Sequence, residues 1–403
     1  MAPEARRRVL WTCVLGTFTA YLCLLFLTPI YPEVARDLRL GPDSLSLLLS
    51  IAPALSVVAN LPVGVLTDRL GRRPLLLAGA VLLVGSQLLL AAAATPVVFG
   101  ASRLVIGLAI PFVASASYAA VADAHPGAGR VQALGLVTAA VSLGQAAGYV
   151  STAGLDERLG WHLLALALLP LPALMFALSL RMPEPPAGPS PASAADAMGS
   201  ALSFLGRPPN AAAALVATFV NGAGVSATFL LPFATRSQGL GTTVTALLLL
   251  VFLGAAVVSA PLVGRLADRT GAQGLLRLCL AVCGGTLAVF AVAGPRIAVI
   301  VPVYAVTGGM VAASAALNTS QVVQAAQRAG TGTGAALGGL RLGQVLGPAL
   351  VMPGAAVLYT RAGLASAVVM LAALCGVALL LTLVRSPQAR TAPAFDGHSG
   401  ESA

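Results

Sequence analysis

Charge is scarce in this chain, and where it occurs it repeats. Gly64-Val65-Leu66-Thr67-Asp68-Arg69-Leu70-Gly71-Arg72-Arg73 and Gly264-Arg265-Leu266-Ala267-Asp268-Arg269-Thr270-Gly271 stand 200 residues apart, each an island between long apolar runs. An acid among arginines makes no nucleophile by itself. It can hold and release helix ends, because Asp68 and Asp268 can face the positive N-terminus of a neighbouring helix. Arg69, Arg72, Arg73 and Arg269 can keep that segment on one side of a membrane. Two further arginines, Arg103 and Arg341, fall within apolar runs. A guanidinium there costs at least ~2.5 kcal/mol on insertion and faces a cavity or a partner rather than lipid. Tyr21, Tyr118, Asn221, Tyr304, Asn318 and Gln344 are the polar side chains that could join them. The chemistry open to this set is charge recognition, hydrogen bonding to a small molecule, and gating.

Bond-making chemistry has little to work with. The three histidines, His125, His162 and His398, stand beside no nucleophile or acid pair, so a membrane-embedded enzyme is a remote alternative. The five cysteines all lie inside apolar runs, and Cys279 and Cys283 have no nearby ligand to complete a metal site, so neither a disulfide framework nor a metal or cofactor is expected. Gly330-Thr331-Gly332-Thr333-Gly334 imitates a nucleotide loop, but no strand precedes it and no lysine follows.

The elements that must position these residues are helices in a bilayer. Of 403 residues, 58% are hydrophobic and 9% charged. Apolar runs of roughly 20 residues recur, the length a helix needs to cross hydrocarbon. Lipid leaves a backbone no outside partner, so the runs are read as helices. Twelve are counted, from 9–31 and 45–66 to 332–353 and 362–384. The fold class expected is all-α membrane protein, with twelve transmembrane helices in two six-helix pseudo-symmetric bundles. The first covers residues 1–181, a Pro-rich linker 182–209, the second bundle 210–385, and a disordered tail 386–403.

All 23 basic residues are arginine, giving a net charge of +10. They lie between spans and at the termini rather than on one face, which argues against nucleic acid as a partner. Fifteen fall on the side of the N-terminus and six on the other, placing both termini in the cytoplasm.

The duplication reaches past the charged motif. Gly135, Gly144, Gln145 and Gly148 recur as Gly334, Gly343, Gln344 and Gly347, each pair 199 residues apart. Gly144, Gly148, Gly343 and Gly347 fall at four-residue spacing, the stripe that lets helix backbones pack closely. On span eleven Arg341 points roughly away from Gly343, with Gln344 on its own face. Two roles stay open for Arg341, a cavity lining and a structural partner of helix carbonyls.

The motif Gly64-x-Leu66-x-Asp68-Arg69-x-Gly71-Arg72-Arg73 resembles the signature loop of the major facilitator superfamily between spans two and three, and matches at every defining position. The copy at 264–271 keeps Gly, Leu, Asp, Arg and Gly but is followed by Ala272 and Gln273. Arg103-x-x-x-Gly107 is similar to the family's fourth-span motif. Gly334-x8-Gly343-x3-Gly347-Pro348 is similar to its antiporter motif, displaced from span five to span eleven. The resemblance implies a secondary transporter of the drug and metabolite efflux branch, working by alternating access, with the signature loop latching the halves at the cytoplasmic face. It places Tyr21, Arg103, Tyr118, Asn221, Tyr304 and Asn318 on cavity-lining helices, each open to a packing role as well.

With no Asp, Glu or Lys deep in any span, a neutral or anionic substrate is favoured. The proton carrier has no clear candidate beyond Asp37 and Asp123, at the ends of spans one and four. The function expected is proton-coupled efflux of a drug or metabolite across the plasma membrane by a monomer in the lipid bilayer, with nutrient import as the alternative.

Overall fold

The computed structural model describes residues 1–125, 129–153, 156–184, 199, 203, 206–328 and 333–384. Most of the linker and the whole tail lie outside the described residues. In the first half, α1 (Pro3–Leu25) passes through a 3-10 turn at Thr28–Ile30 into the short α2 (Tyr31–Asp37). Then follow α3 (Pro42–Leu70), α4 (Arg72–Ala91), α5 (Pro96–Ala124), α6 (Gly129–Ser151), α7 (Asp156–Ala167) and α8 (Pro170–Leu180). The second half comprises α9 (Pro208–Ser237), α10 (Thr242–Thr270), α11 (Ala272–Ala293), α12 (Ile297–Arg328) and α13 (Thr333–Val384).

Helix starts follow from local chemistry. Pro3, Pro42, Pro96, Pro170 and Pro208 open their helices, where a missing N–H leaves nothing unpaired. The Thr95 hydroxyl accepts the Val98 N–H and caps α5. The buried Thr17 and Ser226 hydroxyls donate to the Cys13 and Gly222 carbonyls a turn back, so these two carry no unmet donor into the bilayer.

Among the described residues, eleven continuous stretches are long and apolar enough to cross a membrane. The twelfth expected span is present within the last of them, Gly339–Leu383, which breaks at Gly363 with φ 82° and ψ 177°. Gly160, at φ 66°, breaks the first half at the matching place.

The signature motif differs from its expected form. Gly64–Leu70 is helical to the end of α3, and the whole turn is one residue, Gly71, at φ 94°. Gly271 repeats this at φ 91° between α10 and α11. Only glycine takes this backbone without strain, so a single residue reverses the chain and both helices keep their hydrogen bonds.

The halves also match in detail. The Ser56 hydroxyl donates to the Gly107 carbonyl at 2.8 Å, and the Ser259 hydroxyl to that of Gly309 at 2.8 Å. A Cβ on Gly107 would lie 2.8 Å from the Ala52 carbonyl oxygen, and one on Gly308 would strike the Phe252 backbone. One buried cluster crosses between the halves, joining Phe26, Ile30 and Val34 to Phe229, Leu230 and Phe233. A second, with Val9, Val63, Leu75 and Val121, stays within the first half.

Candidate functional site

The two charged motifs fold alike and are tied differently. At the first, the Arg72 guanidinium is buried and donates to Asp123 at 2.9 Å and to the Thr67 carbonyl at 3.0 Å. Arg72 and Arg73 open α4, and their backbone N–H groups donate to the Glu184 carboxylate at 2.5 and 3.0 Å. A carboxylate there meets both free donors and the positive end of the helix. Arg73 donates to the Leu180 carbonyl at 2.5 Å. Arg72 thus does more than set topology, and Asp123 is engaged in an ion pair. Arg69 is exposed, and the Asp68 and Asp268 side chains lie outside the described residues. Gly64 and Gly264 have open space where a Cβ would stand.

At the second motif, Gln273 donates to the Thr382 carbonyl at 3.1 Å, the counterpart of the Arg73 bond at a 200-residue offset. Arg277 reaches the same carbonyl at 3.0 Å. The Arg72–Asp123 pair has no equivalent, because Ala272 and Val323 occupy the corresponding places. Arg269 is exposed.

Glu184 was not legible in the sequence. It lies at the mouth of a proline-rich segment, 112 residues from the helix it caps. Replacing it with alanine is expected to lower stability by about 1 kcal/mol, the usual worth of an N-cap. A melting temperature in detergent equal to that of the parent would refute this.

Among the interior candidates, Tyr21 (α1) lies within electrostatic range of Tyr118 (α5) in its own half and of Arg341 (α13) in the other. The Tyr118 hydroxyl shares a hydrogen bond with Thr138 at 3.1 Å on an exposed face, and Arg341 is itself exposed. The other candidates face helices rather than open space in this structure. Asn318 is 1% exposed and donates to the Ala213 carbonyl at 2.9 Å. Tyr304 is buried against Phe290 and donates to the Ala227 carbonyl at 2.8 Å. Asn221 donates to the Gln344 carbonyl, so both belong to the α9–α13 contact. Arg103 is 1% exposed, with its guanidinium 5.2 Å from the Phe99 ring centre and its Nε 3.3 Å from the Ser102 hydroxyl. A helical side chain leans toward the preceding turn, so Arg103 lies over the residue four before it.

The four glycines sit where backbones meet. A Cβ on Gly144 would strike the Phe18 backbone, and one on Gly148 would lie 3.1 Å from the Leu22 carbonyl oxygen. One on Gly343 would strike the Ala214 backbone, and one on Gly347 the Thr218 carbonyl.

Away from the Arg72 end, α2 carries two acids with different partners. Asp37 accepts the Trp161 indole N–H at 3.0 Å within its own half. Glu33 pairs with Arg236, at the end of α9 in the other half. Neither pair was anticipated. The one signal in the sequence is the placing of charges just beyond the first and seventh spans.

A family model described as Major Facilitator Superfamily matches residues 13–348. Multidrug resistance protein MdtM of Salmonella typhimurium (strain LT2) is 34% identical over 179 residues, 42% of this chain and 42% of that protein. The match therefore spans less than half the length of this curated relative. A bacterial homologue of the human lysosomal transporter Spinster, solved inward-facing and occupied, superposes with a TM-score of 0.78 at 15% identity, covering 96% of this chain and 98% of that one. The human organic anion transporter MFSD10 gives 0.68 at 19% identity, over 95% and 100%. At these identities the likeness to the solved structures is one of fold.

Proposed function

The chain belongs to the Major Facilitator Superfamily, and from that premise we propose that it exports a small organic molecule across the plasma membrane by alternating access, driven by protons. It is a multi-pass membrane protein, and in this reading both termini are cytoplasmic and the Arg72 end is the inner one. The observation that carries the reading is that Tyr21 of one half lies within electrostatic range of Arg341 of the other. Groups drawn from both halves change their spacing when the halves rock. A ligand bound there therefore has different affinity for the two states, the condition for coupling binding to movement.

A guanidinium within range of the Tyr21 phenol favours a neutral or anionic ligand. The relative named for multidrug resistance supports export over import. Proton coupling is energetically feasible, since each charge moved down the membrane potential contributes ~2.3 kcal/mol per 100 mV.

The test is proton release from everted vesicles carrying the protein, energised to a known pH gradient and offered neutral, anionic and cationic compounds in turn. Saturable release with a neutral or anionic class is expected, falling by on the order of tenfold in Arg341→Ala, the effect of losing one charged hydrogen bond of about 1.5 kcal/mol. Release with cations alone, or undiminished release in the variant, would overturn the assignment of Arg341. No release with any class in inserted protein would overturn efflux.

A further inference from the structure

Glu33 is the one buried acidic side chain among the described residues, at 6% exposure. Its carboxylate makes no hydrogen bond elsewhere among them, so the Arg236 guanidinium is its counter-charge. The pair joins the halves. Glu33 belongs to α2 of the first, and Arg236 to the last turn of α9 in the second.

A chain of rings crosses between the same two segments. Tyr31 of the first half packs tilted against Phe229 at 5.6 Å, Phe229 against Phe233 at 5.3 Å, and Phe233 against Tyr359 at 5.8 Å. The Glu33 side chain is 8% exposed while that of Arg236 keeps 45%, so the acid is the desolvated partner and the cation meets solvent on its outer flank. The same burial makes a carboxylate without its partner strongly unfavourable.

The other ion pairs behave differently. Arg36 and Asp37 are 3.7 Å apart on one helix with side chains 74% and 45% exposed, a geometry that contributes little. Arg72 and Asp123 lie within one half, so rocking of the halves leaves their distance unchanged. Asp37, one turn past Glu33, accepts from Trp161 of its own half, so α2 is fixed on one flank and joined across the seam on the other. When the halves part at this end, α2 stays with the first half, and the Glu33–Arg236 pair must break along with the apolar contacts of the seam.

We propose that Glu33 and Arg236 form the latch of the outer mouth, holding it shut while the inner mouth is open, and that transport requires the pair to break and re-form in each cycle. This rests on the alternating-access reading above, and it makes the two residues positioning groups that need not touch the substrate.

The test measures the separation of the outer ends by pulsed EPR. Spin labels go on Val97→Cys and Val292→Cys, at 80% and 92% exposed positions in different halves, with the native cysteines replaced. In the parent a single, outer-closed distance should dominate. In Glu33→Gln or Arg236→Gln the ratio of outer-open to outer-closed populations should rise on the order of tenfold. Exchange of the charges, Glu33→Arg with Arg236→Glu, should bring it back toward the parent value. Unchanged distances in the single variants would overturn the latch, and so would an exchange variant no better than the singles in monodisperse protein. Flux is measured on the same samples. Absent flux in a parent whose distances respond as expected would count against the transport reading alone, whereas normal flux with unresponsive distances would count against the latch alone.

Discussion

Arg72→Leu is expected to reduce transport by at least about tenfold and to lower stability by about 3 kcal/mol, the lower end of the cost of breaking a buried ion pair. The lower end applies because the Asp123 side chain keeps 23% of its exposure while that of Arg72 keeps 5%. Arg72 links three segments. Its side chain joins the end of α3, through the Thr67 carbonyl, to the end of α5, through Asp123, and its backbone N–H meets Glu184 at the mouth of the linker. Leucine keeps the backbone bond and removes the bonds to Thr67 and Asp123, leaving Asp123 without this cation. The double variant Arg72→Leu with Asp123→Leu removes the orphaned charge and should recover much of the stability. It should not recover transport if the motif gates. Melting in detergent and vesicle flux separate the two effects. A double variant no more stable than the single would show that the pair is not what holds this end together.

Gly347→Leu should leave almost no folded protein. A Cβ at this position would strike the Thr218 carbonyl and lie 2.7 Å from the Gly222 nitrogen, both backbone atoms that cannot turn aside. To admit leucine, α13 must move off α9, which breaks the contact that also carries the Asn221 to Gln344 bond. The cost should exceed about 4 kcal/mol, the range reserved for severe core disruption. Gly264→Ala is the control. Nothing lies within 4 Å of its Cβ position in α10, so the variant should fold at least as well as the parent. Monodisperse yield after solubilisation reads both. A normal yield for Gly347→Leu would mean that the two helices do not pack as described.

The repeat, the membrane helices and the close-packing stripe were legible because each is a periodic property. Spacing of 200 residues, runs of about twenty and glycines four apart can be counted without knowing what they touch. Partners are not periodic, and there the reading fell short. Arg103 and Arg341 looked equivalent as interior arginines, yet one is buried over Phe99 of its own helix and the other is exposed, within electrostatic range of Tyr21 of the opposite half. Tyr304 and Asn318 lie on helices expected to line a cavity, but their polar groups meet carbonyls of α9. In a medium without water, a carbonyl on the next helix competes with any ligand for a donor. The motif itself was expected as a loop because charge and glycine usually mark one. A single glycine at positive φ was enough to turn the chain, and the rest stayed helical.

Because Gly144 and Gly148 bring α6 onto the α1 backbone, and Gly343 and Gly347 bring α13 onto that of α9, no soft layer of side chains separates these helices. Each half then acts as a stiff beam roughly 45 Å long, the span of the 30-residue α9 at ~1.5 Å per residue. A beam pivoting near its middle returns any displacement of one tip as an opposite displacement of the other. Mechanical advantage of this kind needs no relay of side chains between the two mouths, and it makes the order of events a matter of statics: neither tip can swing outward until the contacts at that tip have let go.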